Sequence, residues 1–435
     1  MYKLIRSNHL ETVCEHKQID FACESVEVSD IFFQDNIKNE SCVQVVYGRE
    51  SLSLKMSYFI GADWLVKNQQ AIYVAPKINK GLQEIDYLGM LQSCLTHGDI
   101  AKNTKDLYHI KLNEPFIEID QQMDLLTPLL IMQFLQTLKS LVKKGLKQSY
   151  YKVERNLNSR IKGKVLIAQN IKKNIVRNRV TNTFCSYEEF GFDSIENRVL
   201  KHTLSFVRRY LSQYPEYFGS MKPLIDYCTP AFQSVSDEVN LHELKAVKRN
   251  SFYKEYQEAL KLSKFILKRF GYHVIEIDYH TVKKISVPPF WIDMSKLFEL
   301  YILGLLKDKY GDKILFQAKG SYGNPDYLLI DDMQPLIIDA KYRPTYQQDK
   351  NLSYIIEDIR QISGYARDVG ILDKLGYHTI EEQSSSVVSC VVVYTDQDEG
   401  DKLPNSLTAG KSIEGFTKFY KVPISVPVLK NQTTE

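Results

Sequence analysis

Two aspartates and a lysine in the C-terminal third carry the chemistry most easily read from this chain. Asp326 stands in Gly323-Asn324-Pro325-Asp326-Tyr327-Leu328-Leu329-Ile330, and Asp339 and Lys341 stand in Pro335-Leu336-Ile337-Ile338-Asp339-Ala340-Lys341-Tyr342. Two apolar runs flank the turn residues Asp331-Asp332-Met333-Gln334, the pattern of a β-hairpin. Alternate strand residues share a face, so Asp339 and Lys341 point one way and Ala340 the other. The hairpin folds Asp326 back beside them. Two carboxylates and an ammonium at the end of a buried strand are costly unless they have partners or a task. Carboxylate oxygens suit Mg²⁺ or Mn²⁺, ions that serve phosphoryl transfer. Glu299, on the preceding predicted helix, is a candidate third acid, although a helical glutamate ordinarily faces solvent.

These residues need a scaffold. A chain of 435 residues is expected to form two to four domains at roughly 100–200 residues each. The fold class expected is α+β and multidomain. A β-rich domain covers 1–120, with strands near Cys42–Tyr47 and Ala71–Pro76 and a short helix at Leu88–Cys94. A helical, basic central region covers 121–285, with helices at Leu125–Leu146, Ser194–Tyr214 and Leu241–Phe270. Ser286-Val287-Pro288-Pro289-Phe290 reads as a boundary, because neither proline continues a helix. A C-terminal α/β domain covers 286–435. Its expected order is a helix at Ile292–Lys307, a strand near Ile314–Ala318, the acid-bearing hairpin, a helix at Leu352–Val369, and strands at Ser386–Tyr394 and Phe416–Val422, a mixed sheet with helices on its faces.

Composition excludes several classes. The net charge is +3, so affinity for a polyanion must come from local clustering. Such a cluster exists: Lys139 to Arg179 holds thirteen lysines and arginines against the single acid Glu154. It reads either as a solvated helix face and loop or as a surface for phosphates or an acidic partner. Seven scattered cysteines form no CxxC pair, which fits reduced thiols and argues against a structural zinc site. No signal peptide or membrane span is evident, so a soluble, cytoplasmic protein is expected. The stretch Asn405–Ser412 approaches a P-loop but has Asn405 where the first glycine is needed, so no nucleotide is expected to bind this chain.

Gln361-Ile362-Ser363-Gly364-Tyr365 follows the hairpin on a predicted helix, with Gln361 and Tyr365 four apart on one face. Together, Asp326, Asp339-Ala340-Lys341 and Gln361-x-x-x-Tyr365 resemble the PD-(D/E)xK nuclease superfamily, in the subgroup with a QxxxY motif. The resemblance implies Asp326 and Asp339 as metal ligands, with the Ala340 carbonyl as a further oxygen; Glu299, the candidate third acid, joins this metal set from the reading of its helix. It implies Lys341 on the attacking-water side and Gln361 and Tyr365 lining the site. Upstream, Arg160-Ile161-Lys162-Gly163-Lys164-Val165, Phe184 to Phe190, Asp193-Ser194-Ile195-Glu196-Asn197-Arg198 and Phe290-Trp291-Ile292-Asp293-Met294 follow in order. This succession resembles the McrC family, the nuclease subunit of McrBC-type restriction systems, over roughly residues 125–370. The resemblance implies a Mg²⁺-dependent endonuclease in anti-phage defence. It implies two partners, an AAA+ GTPase of McrB type and double-stranded, modified DNA. The alternative is a non-cleaving assembly and activation module for an AAA+ ring, with the nuclease fold kept as scaffold.

Overall fold

The computed structural model describes residues 3–8, 12–15, 30–33, 41–47, 52–76, 85–95, 103, 106–111, 114–120, 124–212, 221–237, 254–269, 284–331, 333–343, 352–398 and 403–428. The protein is a mixed α/β chain with several sheets. Two compact units form: residues 1–126 together with 282–435, and residues 127–281.

In the first unit a five-stranded sheet has the order Lys3–Asn8, Gln70–Ala75, Phe59–Val66, Phe290–Asp293, Tyr108–Ile110. Its central strand Phe59–Val66 is buried along nearly all its length. A four-stranded antiparallel sheet (Thr12–Glu15, Leu52–Met56, Ser41–Tyr47, Ile31–Phe32) shares the apolar cluster of Val43, Leu54, Phe59, Ile72 and Trp291. The prolines at 288 and 289 separate two strands. Lys284–Val287 pairs with Ile117–Asp120, and Phe290–Asp293 pairs with both Phe59–Val66 and Tyr108–Ile110. Proline lacks the N–H a ladder needs, so it sits in the gap between strands rather than inside either. Trp291, fully buried, donates its indole N–H to Asp63 Oδ2 at 2.8 Å, and Lys111 Nζ lies 3.0 Å from the same oxygen. A buried carboxylate is tolerable there because both its neighbours are donors.

Phe290–Asp293 runs directly into helix α1 (Met294–Tyr310), whose N-cap is Asp293, with Oδ1 accepting from the Lys296 N–H at 3.0 Å. A six-stranded sheet follows. Its strands are β1 (Ile314–Phe316), β2 (Tyr327–Leu329), β3 (Leu336–Lys341), β4 (Ser389–Thr395), β5 (Lys411–Ser412) and β6 (Phe419–Ile424), in the order β1-β2-β3-β4-β6-β5. The first three are antiparallel, β3–β4 and β4–β6 are parallel, and β5 is antiparallel to β6. Helix α2 (Leu352–Tyr365) and the short helix α3 (Val369–Lys374) lie in the crossover from β3 to β4. Ile359, Ile362 and Ile371 from these helices meet Leu328, Ile337, Val392 and Phe419 from the sheet in one buried cluster. Burying each such side chain contributes roughly 1.5–3 kcal/mol, so the middle of the sheet is the most firmly held part of this region. Phe298 of α1 packs on Tyr342, with ring centroids 5.6 Å apart. Asn405–Ser412 forms a 3-10 turn at Leu407–Ala409 and the edge strand β5.

The second unit holds strands as well as the expected helices. Helices Leu126–Lys144 and Ile195–Ser212 lie close to the expected spans, and of Leu241–Phe270 only the helix Lys254–Arg269 falls within the described residues. Between the first two, Ser149–Asn158 and Asn182–Gly191 form a ten-residue antiparallel pair, with Lys164–Val165 beside the second strand. Most of the basic cluster sits on this sheet and its connections. Tyr150, Ile167, Val176, Val180 and Phe190 are exposed there among the cations.

Cys42, Cys185, Cys228 and Cys390 are buried free thiols. Among the described residues no helix is long and apolar enough to cross a membrane.

Candidate active site

The site is built by strand register. Tyr327 lies opposite Ile338 in the antiparallel β2–β3 ladder, so one step further sets Asp326 across from Asp339. Residues directly opposite in an antiparallel pair share a face. β2 begins only at Tyr327, which leaves the edge of β3 open beside its last three residues. The Asp326 carboxylate fills that edge: its Oδ2 accepts from the Ala340 N–H at 2.8 Å. On its other side the Asp326 carbonyl accepts from the Gln317 N–H at 2.8 Å. Asp326 is therefore held from both flanks. Asp339 is fixed differently. β3 pairs in parallel with β4 along its full length, Asp339 opposite Val392, and Asp339 is only 2% exposed.

Lys341 shares the face of Asp339. Its Nζ lies 2.9 Å from Asp339 Oδ2, 3.5 Å from Asp358 Oδ1 and 3.4 Å from Gln361 Oε1. Gln361 Nε2 in turn donates to the Tyr365 hydroxyl at 2.9 Å. The structure thus joins Asp339, Lys341, Gln361 and Tyr365 in one chain of contacts spanning β3 and α2. Glu299 enters from α1. Its backbone carbonyl accepts from the buried Tyr327 hydroxyl at 2.6 Å, and its carboxyl is close enough to feel Asp339 and to be felt by Asp326. Asp358 is the contact the sequence reading missed. The available signal was its place three residues before Gln361 on the same helix face.

The electrostatics are those of a site short of positive charge. Burial pushes Asp326 well above the usual carboxylate range, and the fields of Asp339 and Glu299 push it further. Burial likewise raises Glu299 to about 7, with Asp293 and Asp339 adding to the shift. Asp339 is raised by burial against the opposing pull of Lys341. Burial works to lower the Lys341 pKa, but Asp339 and Asp358 outweigh it and hold the amine above its ordinary value. Lys341 is therefore a firmly protonated ammonium. Three carboxyls that burial holds above the usual range, with Asp339 raising both of the others, favour any cation that replaces their protons. Asp339 Oδ2 meets the Lys341 ammonium at 2.9 Å, and the oxygen's second lone pair leaves capacity for a ligand. This donor set, all oxygen, fits a hard divalent ion. Among the described residues no three His, Cys, Asp or Glu side chains are arranged to hold an ion by themselves. Asp326 and Asp339 would need the Ala340 carbonyl or water to complete the shell.

A family model for the McrBC 5-methylcytosine restriction system component matches residues 54–373, more than half of the chain. The chain belongs to this McrBC component family. The match spans Glu299, Asp326, Asp339, Lys341, Gln361 and Tyr365. Among solved structures, one similar chain comes from a half-complex of a tetradecameric assembly of Thermococcus gammatolerans McrB AAA+ hexamers with bound McrC. Identity is 18%, coverage is 88% of this chain and 80% of that one, and the TM-score is 0.36. Another comes from the Thermococcus gammatolerans McrBC complex, at 16% identity, 70% and 87% coverage and a TM-score of 0.30. A comparison with curated proteins gives no match.

Proposed function

We propose that this McrBC family member is the DNA-cutting subunit of its restriction system, a metal-dependent endodeoxyribonuclease with a PD-(D/E)xK core. The observation that carries the reading is the Asp326 carboxylate bound to the Ala340 N–H, directly across from the buried Asp339–Lys341 pair. Asp326, Asp339 and the Ala340 carbonyl would hold Mg²⁺ or Mn²⁺, with Glu299 contributing its charge. The ion would supply a more acidic water and neutralise charge on the phosphate.

The chain's own residues do the rest. The Lys341 ammonium faces the negative charge that builds on phosphorus. Its raised pKa suits it to donate hydrogen bonds there and not to act as a base. Asp358 and Gln361 hold it in place, and Tyr365 holds Gln361. No clear P-loop is present in the sequence, so the nucleotide-driven step is assigned to a partner, an AAA+ GTPase of McrB type acting on modified double-stranded DNA. Residues 286–435 are assigned the cutting, and the N-terminal and central regions the control by that partner.

The test is a cleavage assay on methylated plasmid DNA with the full chain, an McrB-type partner and its nucleotide. Cutting is expected with Mg²⁺ or Mn²⁺ and none with chelator. Partner NTPase stimulation without cutting under any divalent ion would instead support the assembly-module reading. That reading is favoured by the exposed Ile167, Val176 and Val180 amid the lysines and arginines of the central unit.

A further inference from the structure

The turn that leads into Asp326 is held far more tightly than an ordinary loop. Asp368, itself buried, accepts at Oδ2 from the Ser321 N–H at 2.7 Å and the Tyr322 N–H at 3.0 Å. Its Oδ1 accepts from the Gly370 and Ile371 N–H groups at the start of α3. Burial works against the charged form of Asp368, yet these donors hold its pKa below the usual range, so the carboxylate stays ionised and the clamp stays closed. The Gly320 N–H closes the turn on the Gly323 carbonyl at 2.9 Å.

Both glycines are pressed against their surroundings. A Cβ on Gly320 would stand 2.6 Å from the Gly323 oxygen, and a Cβ on Gly323 would stand 2.6 Å from Cε1 of Tyr365. Tyr365 is the residue that reaches Lys341 through Gln361. Tyr322, in this turn, is 100% exposed. Single exposed aromatics are common and by themselves mean little. Here the backbone is clamped at the aromatic residue itself, four positions before Asp326 and one before the glycine that packs on Tyr365. Exposed Lys319 lies in the same turn, and exposed Arg367 adjoins the clamping Asp368. A cation suits a phosphate and a preorganised aromatic face suits a base, the combination used to grip nucleic acid strands. Met333, also exposed, lies in the turn at the other end of the hairpin, away from the acids, and has no such setting.

We propose that Tyr322 is a DNA-contacting residue that stacks on a base next to the scissile phosphate and so positions the strand over Asp326 and Asp339. The idea rests on the nuclease reading for what lies beside it, but the contact with DNA can be measured apart from cutting. Tyr322→Ala, Tyr322→Phe and Tyr322→Trp are made in the full chain. Their melting temperatures are expected to match wild type, because this side chain packs on nothing. With chelator present, so that no cutting occurs, short duplexes and single strands are titrated against Tyr322→Trp and wild type. The introduced indole is expected to be quenched on binding, beyond any change from Trp64 and Trp291. In cleavage assays with partner and Mg²⁺, Tyr322→Ala is expected to raise KM on the order of tenfold, a modest stacking loss. kcat should move little and Tyr322→Phe should behave as wild type. Absence of quenching overturns the proposal, whatever the cleavage result. Quenching in a protein that never cuts upholds the contact and overturns only the nuclease reading. A Tyr322→Ala variant with wild-type KM also overturns it.

Discussion

Lys341→Ala is expected to lower DNA cleavage by about a hundredfold to a thousandfold, the usual cost of removing one preorganised donor to developing oxyanion charge. Asp339→Ala is expected to abolish cleavage, because it would remove a ligand of the proposed metal ion as well as the lysine's partner. Both variants should still stimulate the NTPase of an McrB-type partner. Folding complicates the first. Removing Lys341 leaves Asp339 at 2% exposure without its ion pair, and breaking a buried pair from one side costs roughly 3–5 kcal/mol. Asp339 already has a raised pKa, so it can take up a proton, and the loss should be smaller at pH 5.5 than at pH 8. The double variant Asp339→Asn with Lys341→Met removes both charges. It should melt closer to wild type than Lys341→Ala while cutting no DNA. Cleavage by the double variant at the wild-type rate would remove both residues from the mechanism.

Gly61→Ala is expected to be among the most damaging small substitutions in the chain. Gly61 has φ +151°, in the region that side-chain-bearing residues rarely adopt, and a Cβ there would stand 2.1 Å from the Phe290 carbonyl oxygen. That atom belongs to backbone paired with Gly61's own strand, so it cannot swing aside. Strain and clash together should cost about 3 kcal/mol or more. The consequence reaches the candidate site, because Phe290–Asp293 runs directly into the helix that carries Glu299. Urea denaturation of the full chain measures the effect. Gly364→Ala, in α2 with open space around the new methyl, is the matched control and should be neutral or slightly stabilising. Equal stability of the two variants would contradict the tight packing of that strand pair.

The hairpin bearing Asp326, Asp339 and Lys341 was legible because an apolar run, a polar turn and a second apolar run leave little else to form. The four-residue spacing likewise placed Gln361 and Tyr365 on one helix face, and only the family resemblance implied that this face lines the site. Phe290–Asp293 was harder to see. Its two preceding prolines suggest a break between domains, and nothing local shows that the strand pairs with residues more than two hundred positions earlier. The long strands of the central unit were obscured for a different reason. Ser149–Asn158 is mostly polar and half-exposed, so it lacks the apolar alternation that marks a strand, and its stability comes from its partner Asn182–Gly191. The pairing of Asp358 with Lys341 and the clamp of Asp368 on the 320–323 turn depend on how α2 and α3 dock on the sheet. Tertiary packing of that kind leaves only faint traces in spacing.

The central claim is that Asp326 and Asp339 hold one hard cation between them. Titration of Mn²⁺ into the full chain, followed by calorimetry or by the spectrum of the free ion, measures this directly. One site is expected in the wild-type protein, with affinity rising from pH 5.5 to pH 7.5, because Asp326, Asp339 and Glu299 bind protons above the ordinary carboxylate range and must release them to take the ion. Asp326→Asn and Asp339→Asn should each remove that site while the chain still melts cooperatively. A Mn²⁺ site of unchanged affinity in both variants would contradict the account.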